Sequence, residues 1–520
     1  MHPILLLYAA IALVVARALY AVLVAALSPT RHIPGPFLAR FTRLWYFYSV
    51  WKGQAEKDNI RLHRKYAKHG QFYAPIVRLG PNMYSIIEPD KQVYGVGSKM
   101  RKSDWYEGWK HPSPDRWTMF PDRDIKRHND TRKKFQNLYA LSTLKSYEQY
   151  VDDCANIFQD KLGELASSDE YVDMAHWFQV YAFDVIGAIT YSKRFGFLDQ
   201  GKDVDGIMQA LDSNMPYSTL VGIYAWLHPY LYEVLQRIPG SGAAGRQKLM
   251  NFTQMNKETR EAQRRTWDLE GKGVEEKPDG TPEDFLDKLL DMKDDPQKGV
   301  TDYHCFIMGL SNIIAGSDTT AVSLSSVLYY LIKTPRAMQK LREEIGWRTE
   351  QGLCEADRVS FQDSQEMKYL QACIKEGLRL HAAVGLPLWR VVNEGGAEIC
   401  GEFLPAGSEV GINGWVAHYN QDVWGPDADE FRPERWIEAE EEGRDKLRYL
   451  ETYYLPFGLG SRTCIGRHIS YLEMTKLVPQ IVRKFDFELQ RPDSEWSCKN
   501  YWFVKPADFH VRVKRLEKQE

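Results

Sequence analysis

The chain has 520 residues, of which 26% are charged, and a formal net charge of -3. This near-neutral balance provides no basic field for nucleic acid, and none of the 37 glycines falls in a phosphate-binding G-x-x-x-x-G-K-[ST] run. Nucleic acid is therefore not an expected partner. The seven cysteines are widely spaced, with no C-x-x-C pair, which indicates a reducing compartment and argues against a disulfide framework or a zinc cluster.

The first 29 residues are predicted to form a membrane anchor. Residues 3 to 28 are apolar except for Arg17, and about 20 such residues suffice to cross a bilayer as a helix. A charge near the bilayer centre is costly unless its long stem reaches the surface, so a tilted or partly interfacial helix is the alternative. A cleaved secretory signal is disfavoured because no Lys or Arg precedes the span. Basic residues follow it and place the remaining chain on the cytosolic side: Arg31, Arg40, Arg43 and Lys52.

The rest of the chain is predicted to be a short hinge followed by one large catalytic domain. Residues 30 to 40 contain Ile33-Pro34-Gly35-Pro36, which cannot continue a helix, and residues 41 to 520 follow as the domain. A polar stretch at 268–283 is interpreted as a loop within that domain. The apolar period predicts helices at 130–165, 172–192, 203–226, 242–266, 302–333 and 365–380. Alternating runs predict strands at 73–79, 83–88, 387–393, 398–403, 408–413, 484–490 and 507–514, so the expected fold is mainly α with a minor β portion.

The most specific motif is a ten-residue loop near the carboxyl end. It fits F-x-x-G-x-R-x-C-x-G at every fixed position: Phe457, Gly460, Arg462, Cys464 and Gly466. A thiolate that bonds iron needs a turn whose backbone N–H groups point at the sulfur, and Gly460 and Gly466 are predicted to supply that turn. The helical run that starts near Gly466 places its positive amino-terminal end beside Cys464, which favours the ionised thiol.

This loop resembles the haem-binding loop of the cytochrome P450 family, and the resemblance extends along nearly the whole chain. It implies the P450 fold, a helical haem-enclosing domain with small antiparallel sheets, and haem b as the cofactor. Cys464 is then the expected axial ligand of the iron, and Arg462 is expected to reach a haem propionate. Phe457, Gly460 and Gly466 complete the expected cofactor-binding loop.

The resemblance implies a structural role for Glu376 and Arg379, which lie three residues apart on one predicted helix. The family joins this pair to an arginine at the position of Arg435, within Phe431-Arg432-Pro433-Glu434-Arg435-Trp436. A buried three-way salt bridge that holds the fold around the haem is therefore expected.

The predicted helix at 302–333 carries Ala315, Gly316, Asp318 and Thr319 in a match to the family's A-G-x-[DE]-T-[ST]. Ala315 and Gly316 are expected to line a groove that the helix opens over the iron. Asp318 and Thr319 are the expected catalytic pair, because cleavage of the O–O bond requires protons at the distal oxygen.

Two weaker matches concern the cofactor. His128 and Arg132 resemble the family's [WH]-x-x-x-R on the helix beneath the haem, and Arg390 resembles the propionate arginine on the strand after the E-x-x-R helix. Lys133 and Lys134 are expected to belong to a basic face that docks an acidic flavoprotein reductase.

Two aromatic segments are candidates for the substrate side. Trp105 to Phe120 is a proline-broken loop where the family places a wall of the substrate pocket. The stretch from Tyr217 to Leu235, with Trp226 and Tyr230, falls where the family's entrance faces the membrane. The substrate is therefore expected to be apolar.

The sequence as a whole predicts a monooxygenase of the endoplasmic reticulum membrane. The protein is expected to cross the membrane once and to have its catalytic domain in the cytosol. The resemblance is closest to fungal microsomal enzymes of secondary metabolism, the pisatin demethylase-like hydroxylases. It implies NADPH-cytochrome P450 reductase as electron donor, with cytochrome b5 as a second candidate, and membrane lipid and a hydrophobic small molecule as partners. The alternatives are a haem-thiolate enzyme that rearranges peroxides and a non-catalytic haem- or lipid-binding protein. Substrate, oxidised position and number of oxidation steps are left open.

Overall fold

A computed structural model describes residues 3–269, 283–355 and 358–516. Positions 270–282 of the predicted loop at 268–283 lie outside the described residues. The described residues form 22 α-helices, numbered α1 to α22 in chain order: Pro3–Leu27, Leu44–Trp51, Ala55–Lys65, Lys91–Tyr94, Ile125–Phe135, Leu141–Leu144, Glu148–Ser168, Met174–Tyr191, Phe197–Gln200, Ile207–Ile223, His228–Leu235, Gly242–Leu269, Phe285–Asp294, Asp302–Lys333, Pro335–Glu350, Phe361–Gln365, Lys368–Leu380, Gly414–His418, Gln421–Trp424, Glu434–Glu442, Arg444–Tyr453 and Arg467–Val482.

The minor β portion consists of short strands, numbered β1 to β11 in chain order: Ile76–Gly80, Met83–Ile86, Tyr171–Asp173, Arg390–Val391, Ala397–Ile399, Glu402–Leu404, Glu409–Ile412, Phe485–Leu489, Cys498–Tyr501, Phe503–Pro506 and His510–Arg515. A four-stranded sheet has the order β1-β2-β7-β4, and a three-stranded sheet has the order β3-β11-β8. The pairs β5–β6 and β9–β10 are separate antiparallel ribbons. The sheets are mostly antiparallel as expected, with one parallel pair, β2–β7.

Helix α14 runs through the centre of the hydrophobic core. It begins at a capping box in which Thr301 and His304 satisfy each other's backbone N–H groups, and it packs along α8. Gly316 lies at this contact, because a Cβ there would lie only 2.9 Å from Ile186 Cδ1. The missing side chain of Gly316 allows close packing of these two helices, and its predicted place in a groove over the iron stays a prediction.

Most predicted elements occur in the structure with altered bounds. One predicted helix and one predicted strand are instead divided into shorter elements. The helix expected at 130–165 is divided, since α5 ends at Phe135 and α7 begins at Glu148. The hydroxyl of Thr143 donates to the carbonyl of Asn137 at 2.7 Å, a local bond that competes with the helical pattern. The strand expected at 398–403 is the ribbon β5–β6, which turns at Cys400 and Gly401, both with positive φ.

The amino-terminal helix α1 contains one segment, Leu7–Leu27, that is long and apolar enough to cross a membrane. Its mean hydropathy is 2.4, and its side chains pack against no other part of the described protein. The guanidinium of Arg17 lies 5.4 Å from the ring centre of Tyr20. By length and composition, these properties allow the membrane anchor that the sequence predicts.

Candidate haem-thiolate site

The loop that carries Cys464 connects a short 3-10 turn, Gly460–Arg462, to the amino terminus of α22. The Cys464 N–H donates to the carbonyl of Phe457 at 2.8 Å, and the ring of Phe457 packs against Tyr471 at 5.3 Å between centroids. Gly458 and Gly460 both have positive φ, and a Cβ on Gly460 would lie 1.7 Å from the carbonyl oxygen of Tyr94. The turn therefore requires glycine at these two positions.

The role predicted for Gly466 needs correction. Its φ is -85°, which any residue adopts, so it does not supply the turn. Gly466 is instead the residue that caps α22, and its backbone N–H and that of Arg467 face the sulfur of Cys464. The amino-terminal end of α22 thus directs donors at the sulfur.

Protein atoms surround the sulfur of Cys464, but its side chain remains accessible to solvent. This combination is typical of a residue that lines an internal cavity. Burial raises the pKa of the Cys464 thiol, and the N–H of Gly466 and the charges of Arg132 and Arg467 offset only part of this effect. A further cation at the sulfur would be needed to hold the thiolate at neutral pH, and a bound iron would supply that charge. No group of three or more His, Cys, Asp or Glu side chains that could hold a metal ion occurs in the parts of the chain that the structure describes.

Cationic side chains converge beside this loop. Arg132 donates to the carbonyl of Thr463 at 2.8 Å, and Arg462 donates to the carbonyl of Asp122 at 2.9 Å. Burial, followed by the charge of Arg390, lowers the pKa of Arg462 to about 10. Cations that repel each other in a buried site require an anion between them, so the cluster fits the two propionates of a haem.

His128 lies on α5 within the same cluster. Burial, followed by the charge of Arg462, lowers the pKa of His128 to about 3, so the imidazole is neutral at physiological pH and can donate one hydrogen bond. Arg390 stands at the start of β4, where its guanidinium contacts the ring of Tyr94 at 5.2 Å and donates to the carbonyl of Trp389 at 2.9 Å.

Sequence reasoning missed Lys102, which belongs to this cluster. Its side chain is buried, with the ammonium 4.2 Å from the ring centre of Tyr106, and burial together with Arg390 and Arg462 lowers its pKa well below the usual range. Asp122 faces the cluster but already forms a two-point bond with Arg127. No motif identifies Lys102, because its neighbours come from distant parts of the chain.

The predicted catalytic pair, Asp318 and Thr319, lies on two different faces of α14. Ala315 and Thr319 share one accessible face, and the Thr319 hydroxyl donates to the carbonyl of Ala315 at 2.6 Å. Asp318 is fully buried on another face, where it accepts from Gln179 at 2.5 Å and from Lys505 at 3.2 Å. Gln179 and Lys505 were also missed by sequence reasoning.

Glu376, Arg379 and Arg435 meet in one buried cluster. Arg379 forms a two-point bond with Glu376 at 2.8 and 3.0 Å, and Arg435 reaches the same carboxylate at 3.0 Å. Trp436 adds a fourth bond to that carboxylate at 2.9 Å, and Arg379 also donates to three backbone carbonyls. These partners satisfy the buried charges, which joins α17 to the segment around α20.

The aromatic loop expected at the substrate side folds into a ring cluster. Trp105, Trp109 and Phe120 each lie 5.0 to 5.8 Å from Trp502, between ring centroids. Trp502 forms the turn between β9 and β10 with a φ of 80°, which is rare for a bulky residue and is typical of functional positions.

Comparison with known proteins agrees with this geometry. A family model for cytochrome P450 matches residues 39–510. Pisatin demethylase of Fusarium vanettenii is 38% identical over 486 residues, which cover 92% of this chain and 88% of the relative. A cytochrome P450 monooxygenase of Aspergillus terreus is 36% identical, covering 88% of this chain and 90% of the relative. Another, from Penicillium aethiopicum, is 32% identical and covers 94% of both chains. The chain therefore belongs to the cytochrome P450 family and is a haem-thiolate monooxygenase whose cofactor is haem b.

Proposed function

We propose that the protein oxidises a hydrophobic small molecule of fungal secondary metabolism by C–H hydroxylation, epoxidation or O-demethylation. The overall change consumes one dioxygen, two electrons and two protons, and yields the oxygenated product and one water. The proposal rests chiefly on one arrangement: the Cys464 turn, the cation cluster and the accessible Ala315–Thr319 face occur in one protein.

Each part of the site has a separate task in this proposal. When bound, haem b supplies the iron at which dioxygen is activated. Cys464 would hold the iron through its sulfur, and the backbone N–H groups of Gly466 and Arg467 stabilise the charge of that sulfur. Arg132, Arg390 and Arg462 would hold the propionates and so orient the cofactor. Thr319 presents a hydroxyl to the reacting side, and Asp318 passes protons toward it.

We propose further that electrons come from NADPH through NADPH-cytochrome P450 reductase, with cytochrome b5 as a second donor. Lys133 on α5 and Arg467 on α22 are exposed near the Cys464 loop and carry the positive charge that an acidic flavoprotein would contact. The apolar helix α1 supports a location in the endoplasmic reticulum membrane, with residues 41–520 as a cytosolic domain behind the 30–40 hinge. The name of one relative, pisatin demethylase, supports demethylation as one of the candidate reactions.

The test is spectroscopic first and catalytic second. The purified, reduced protein is expected to show the shifted Soret band of a thiolate-bound haem with carbon monoxide, and Cys464→Ala is expected to lose it. With added reductase and an accepted substrate, the wild-type protein should consume NADPH steadily and form an oxygenated product. A panel of polyketides, terpenoids and aromatic alkaloids is then screened by difference spectra to find substrates.

The outcomes separate this proposal from its alternatives. Peroxide rearrangement without NADPH would identify the first alternative, and a haem spectrum without any turnover would identify a non-catalytic binding protein. Cys354→Ala is a matched control, because Cys354 is a buried thiol outside the loop and its loss should leave the haem spectrum unchanged.

A further inference from the structure

The aromatic segment, Asp104–Trp109, is a 3-10 turn that lies between the haem site and helix α10. On its inner side, the ring of Tyr106 contacts the ammonium of Lys102 at 4.2 Å, and that ammonium belongs to the cation cluster. On its outer side, the indole N–H of Trp105 donates to the carbonyl of Thr219 on α10 at 3.1 Å. We call this outer contact with α10 the outer joint. It is part of the wall that encloses the site.

Two glycines allow the backbones of the outer joint to touch. A Cβ on Gly108 would lie 2.5 Å from the carbonyl oxygen of Ser218, and a Cβ on Gly222 would lie 2.4 Å from the carbonyl oxygen of Trp105. Both obstacles are backbone atoms, which cannot turn aside as the end of a flexible side chain can. The two backbones therefore meet with no room for a side chain between them at these points.

Arg246 of α12 binds both sides of the outer joint. Its side chain is 5% exposed, and its guanidinium donates to the carbonyl of Gly108 at 2.7 Å and to the carbonyl of Lys110. The same guanidinium donates to the hydroxyl of Ser218 at 2.6 Å and to the side-chain carbonyl of Asn214 at 3.3 Å, both on α10. One side chain therefore connects three separate parts of the chain.

The position of Trp109 follows from these bonds. Gly108 and Lys110 flank Trp109 in the chain, so the guanidinium holds the backbone on both sides of the indole. The ring of Trp109 lies 5.8 Å from the ring of Trp502 between centroids, within the aromatic cluster. Arg246 therefore fixes this cluster from its outer side, through the backbone of the aromatic segment.

A histidine of α11 strengthens the same joint. The Nε2–H of His228 donates to the carbonyl of Lys110 at 3.0 Å, and its Nδ1 accepts from the hydroxyl of Tyr217 at 2.9 Å. This arrangement of protons is required because a carbonyl oxygen can only accept. Burial, followed by the charge of Arg246, lowers the pKa of His228 to about 4. The imidazole is therefore neutral at physiological pH and keeps both bonds.

Arg246 brings a charge into the outer joint, where its acceptors are uncharged. Burial lowers the pKa of Arg246, yet a guanidinium keeps its proton at neutral pH. Its four bonds end on carbonyl and hydroxyl oxygens, and they offset the lost hydration only while these oxygens stay in place. If the joint opened partly, the buried charge would lose bonds before it gained water. Partial opening is therefore unfavourable, and the joint stays closed.

We propose that Arg246 is a positioning residue that seals the outer joint, so that ligands reach and leave the haem site by a path that avoids this joint. In the wild-type protein the aromatic segment then stays against α10 while ligands exchange. Loss of the guanidinium opens a second path. The proposal requires a bound haem, but it requires neither the substrate class nor the electron donor of the proposed function.

The experiment follows the binding of 4-phenylimidazole to the ferric holoenzyme by rapid mixing, because a nitrogen ligand on the iron shifts the Soret band. In Arg246→Met, the association and dissociation rate constants should rise together by about tenfold or more, because two buried carbonyls lose their donor in the closed joint. The Kd, which is their ratio, should change little, since the bound state keeps its contacts. Imidazole is smaller and should be accelerated less. Arg265→Met, at an exposed arginine of the same helix, is the matched control.

Two further measurements separate sealing of the joint from general support of the fold. Hydrogen exchange should rise at residues 104–110 of Arg246→Met and should stay unchanged in the Cys464 loop. Arg246→Lys should give intermediate rate constants, because an ammonium cannot reach both carbonyls as a planar fork does. If Arg246→Met does not retain haem, Ser218→Ala takes its place. That variant removes one of the four bonds and should accelerate ligand exchange by a smaller factor.

Four results would overturn the inference. Rate constants in Arg246→Met or Ser218→Ala that equal those of Arg265→Met would show that Arg246 does not seal the joint. Faster dissociation alone, with a proportionally weaker Kd, would show that Arg246 shapes the bound pocket and not a path. An equal rise of hydrogen exchange in the Cys464 loop would show that Arg246 supports the whole fold.

The fourth result concerns the wild-type protein. Amides at residues 104–110 that exchange as fast as those of an unfolded peptide would show that the joint is open without any substitution. Failure of the proposed function would be visible separately, as no NADPH-dependent product from a wild-type protein whose ligand exchange behaves as expected.

Discussion

Gly460 shows how a single missing side chain determines whether the cofactor loop can form. Its φ is 57°, and a Cβ there would collide with the Tyr94 carbonyl oxygen at 1.7 Å. Neither the turn nor the end of α4 can move easily, because the Tyr94 atoms at this contact belong to the backbone. The position therefore combines two independent reasons for glycine.

Gly460→Ala is expected to reduce haem incorporation severely, because the Cys464 turn and the segment at Tyr94 cannot both keep their places. The ratio of the Soret band to the protein absorbance measures this. Gly346→Ala is the matched control, since a Cβ at this position in α15 meets no atom within 4 Å and alanine favours a helix by up to about 1 kcal/mol. Normal haem content in Gly460→Ala would contradict the close approach.

Glu473 on α22 is a buried acid with no assigned chemistry. Both carboxylate oxygens are buried without a hydrogen bond of good geometry, and burial raises its pKa well above the usual range, with Thr320 offsetting part of the shift. The native protein therefore retains a proton that the unfolded chain releases above about pH 4.5. The stabilising effect of that proton is complete below the unfolded pKa and is lost as pH rises toward the folded pKa.

Glu473→Gln should remove this pH dependence. The thermal unfolding midpoint of the variant, relative to wild type at a fixed heating rate, should rise between pH 6 and pH 8, because only the wild-type protein is destabilised as pH increases. Glu441→Gln, at an exposed glutamate of α20, is the control and should give no such trend. A difference that stays constant with pH would mean that Glu473 is ionised in the native state.

At the scale of elements, the Glu376 cluster fixes how α17 meets α20. Arg435→Ala should destabilise the fold by about 3–5 kcal/mol, because it leaves the buried Glu376 charge with one arginine fewer. Urea unfolding followed through the Soret band measures the loss. Arg432→Ala is matched in residue type, but its side chain is 32% exposed and its pairs lie at the surface, so about 0–1 kcal/mol is expected. Similar losses in the two variants would refute a special role for the cluster.

Elements governed by local chemistry could be predicted, and elements governed by distant contacts could not. The predicted bounds of α14, 302 and 333, agree with the structure because a capping box and a long apolar pattern act within the helix itself. Residues 172 and 173 of strand β3 were predicted as the start of a helix, because the pairing partner of β3, strand β11, lies more than 300 residues away. The ribbon β9–β10 was missed, since its turn residue is Trp502 and not glycine or asparagine.

The same division applies to the site. Chemistry at fixed spacings determines the residue types of the Cys464 loop, the Asp318–Thr319 pair and the Glu376 cluster. These sites could therefore be predicted from the sequence. Lys102, Gln179 and Lys505 come from separate parts of the chain and meet other site residues only after folding. The turn predicted at Gly466 was misjudged because a glycine beside a helix can serve either as its cap or in a turn.

At the scale of the whole molecule, exposed apolar side chains form a surface that we call the apolar flank. It comprises one stripe on α2 and one beginning just before α11: Leu44, Tyr48, Trp51, Trp226, Tyr230 and Val234. The two stripes adjoin, because Phe47 packs on Tyr224 at 6.1 Å and Arg43 donates to the carbonyl of Ile223. Such a patch near an apolar anchor fits a membrane surface.

A chain that lacks residues 1–29 should therefore still bind phospholipid vesicles. Trp226→Ser, Tyr230→Ser and Val234→Ser together should lower its partition into vesicles by at least about tenfold, because burial of each such side chain contributes roughly 1.5–3 kcal/mol when complete. Cosedimentation measures the bound fraction. The matched control replaces three exposed apolar residues outside the flank, Trp347, Leu353 and Tyr449, by serine, and should leave binding unchanged. If both triple variants bind alike, or if the shortened chain stays fully in solution, α1 alone carries the membrane contact and the flank has another task.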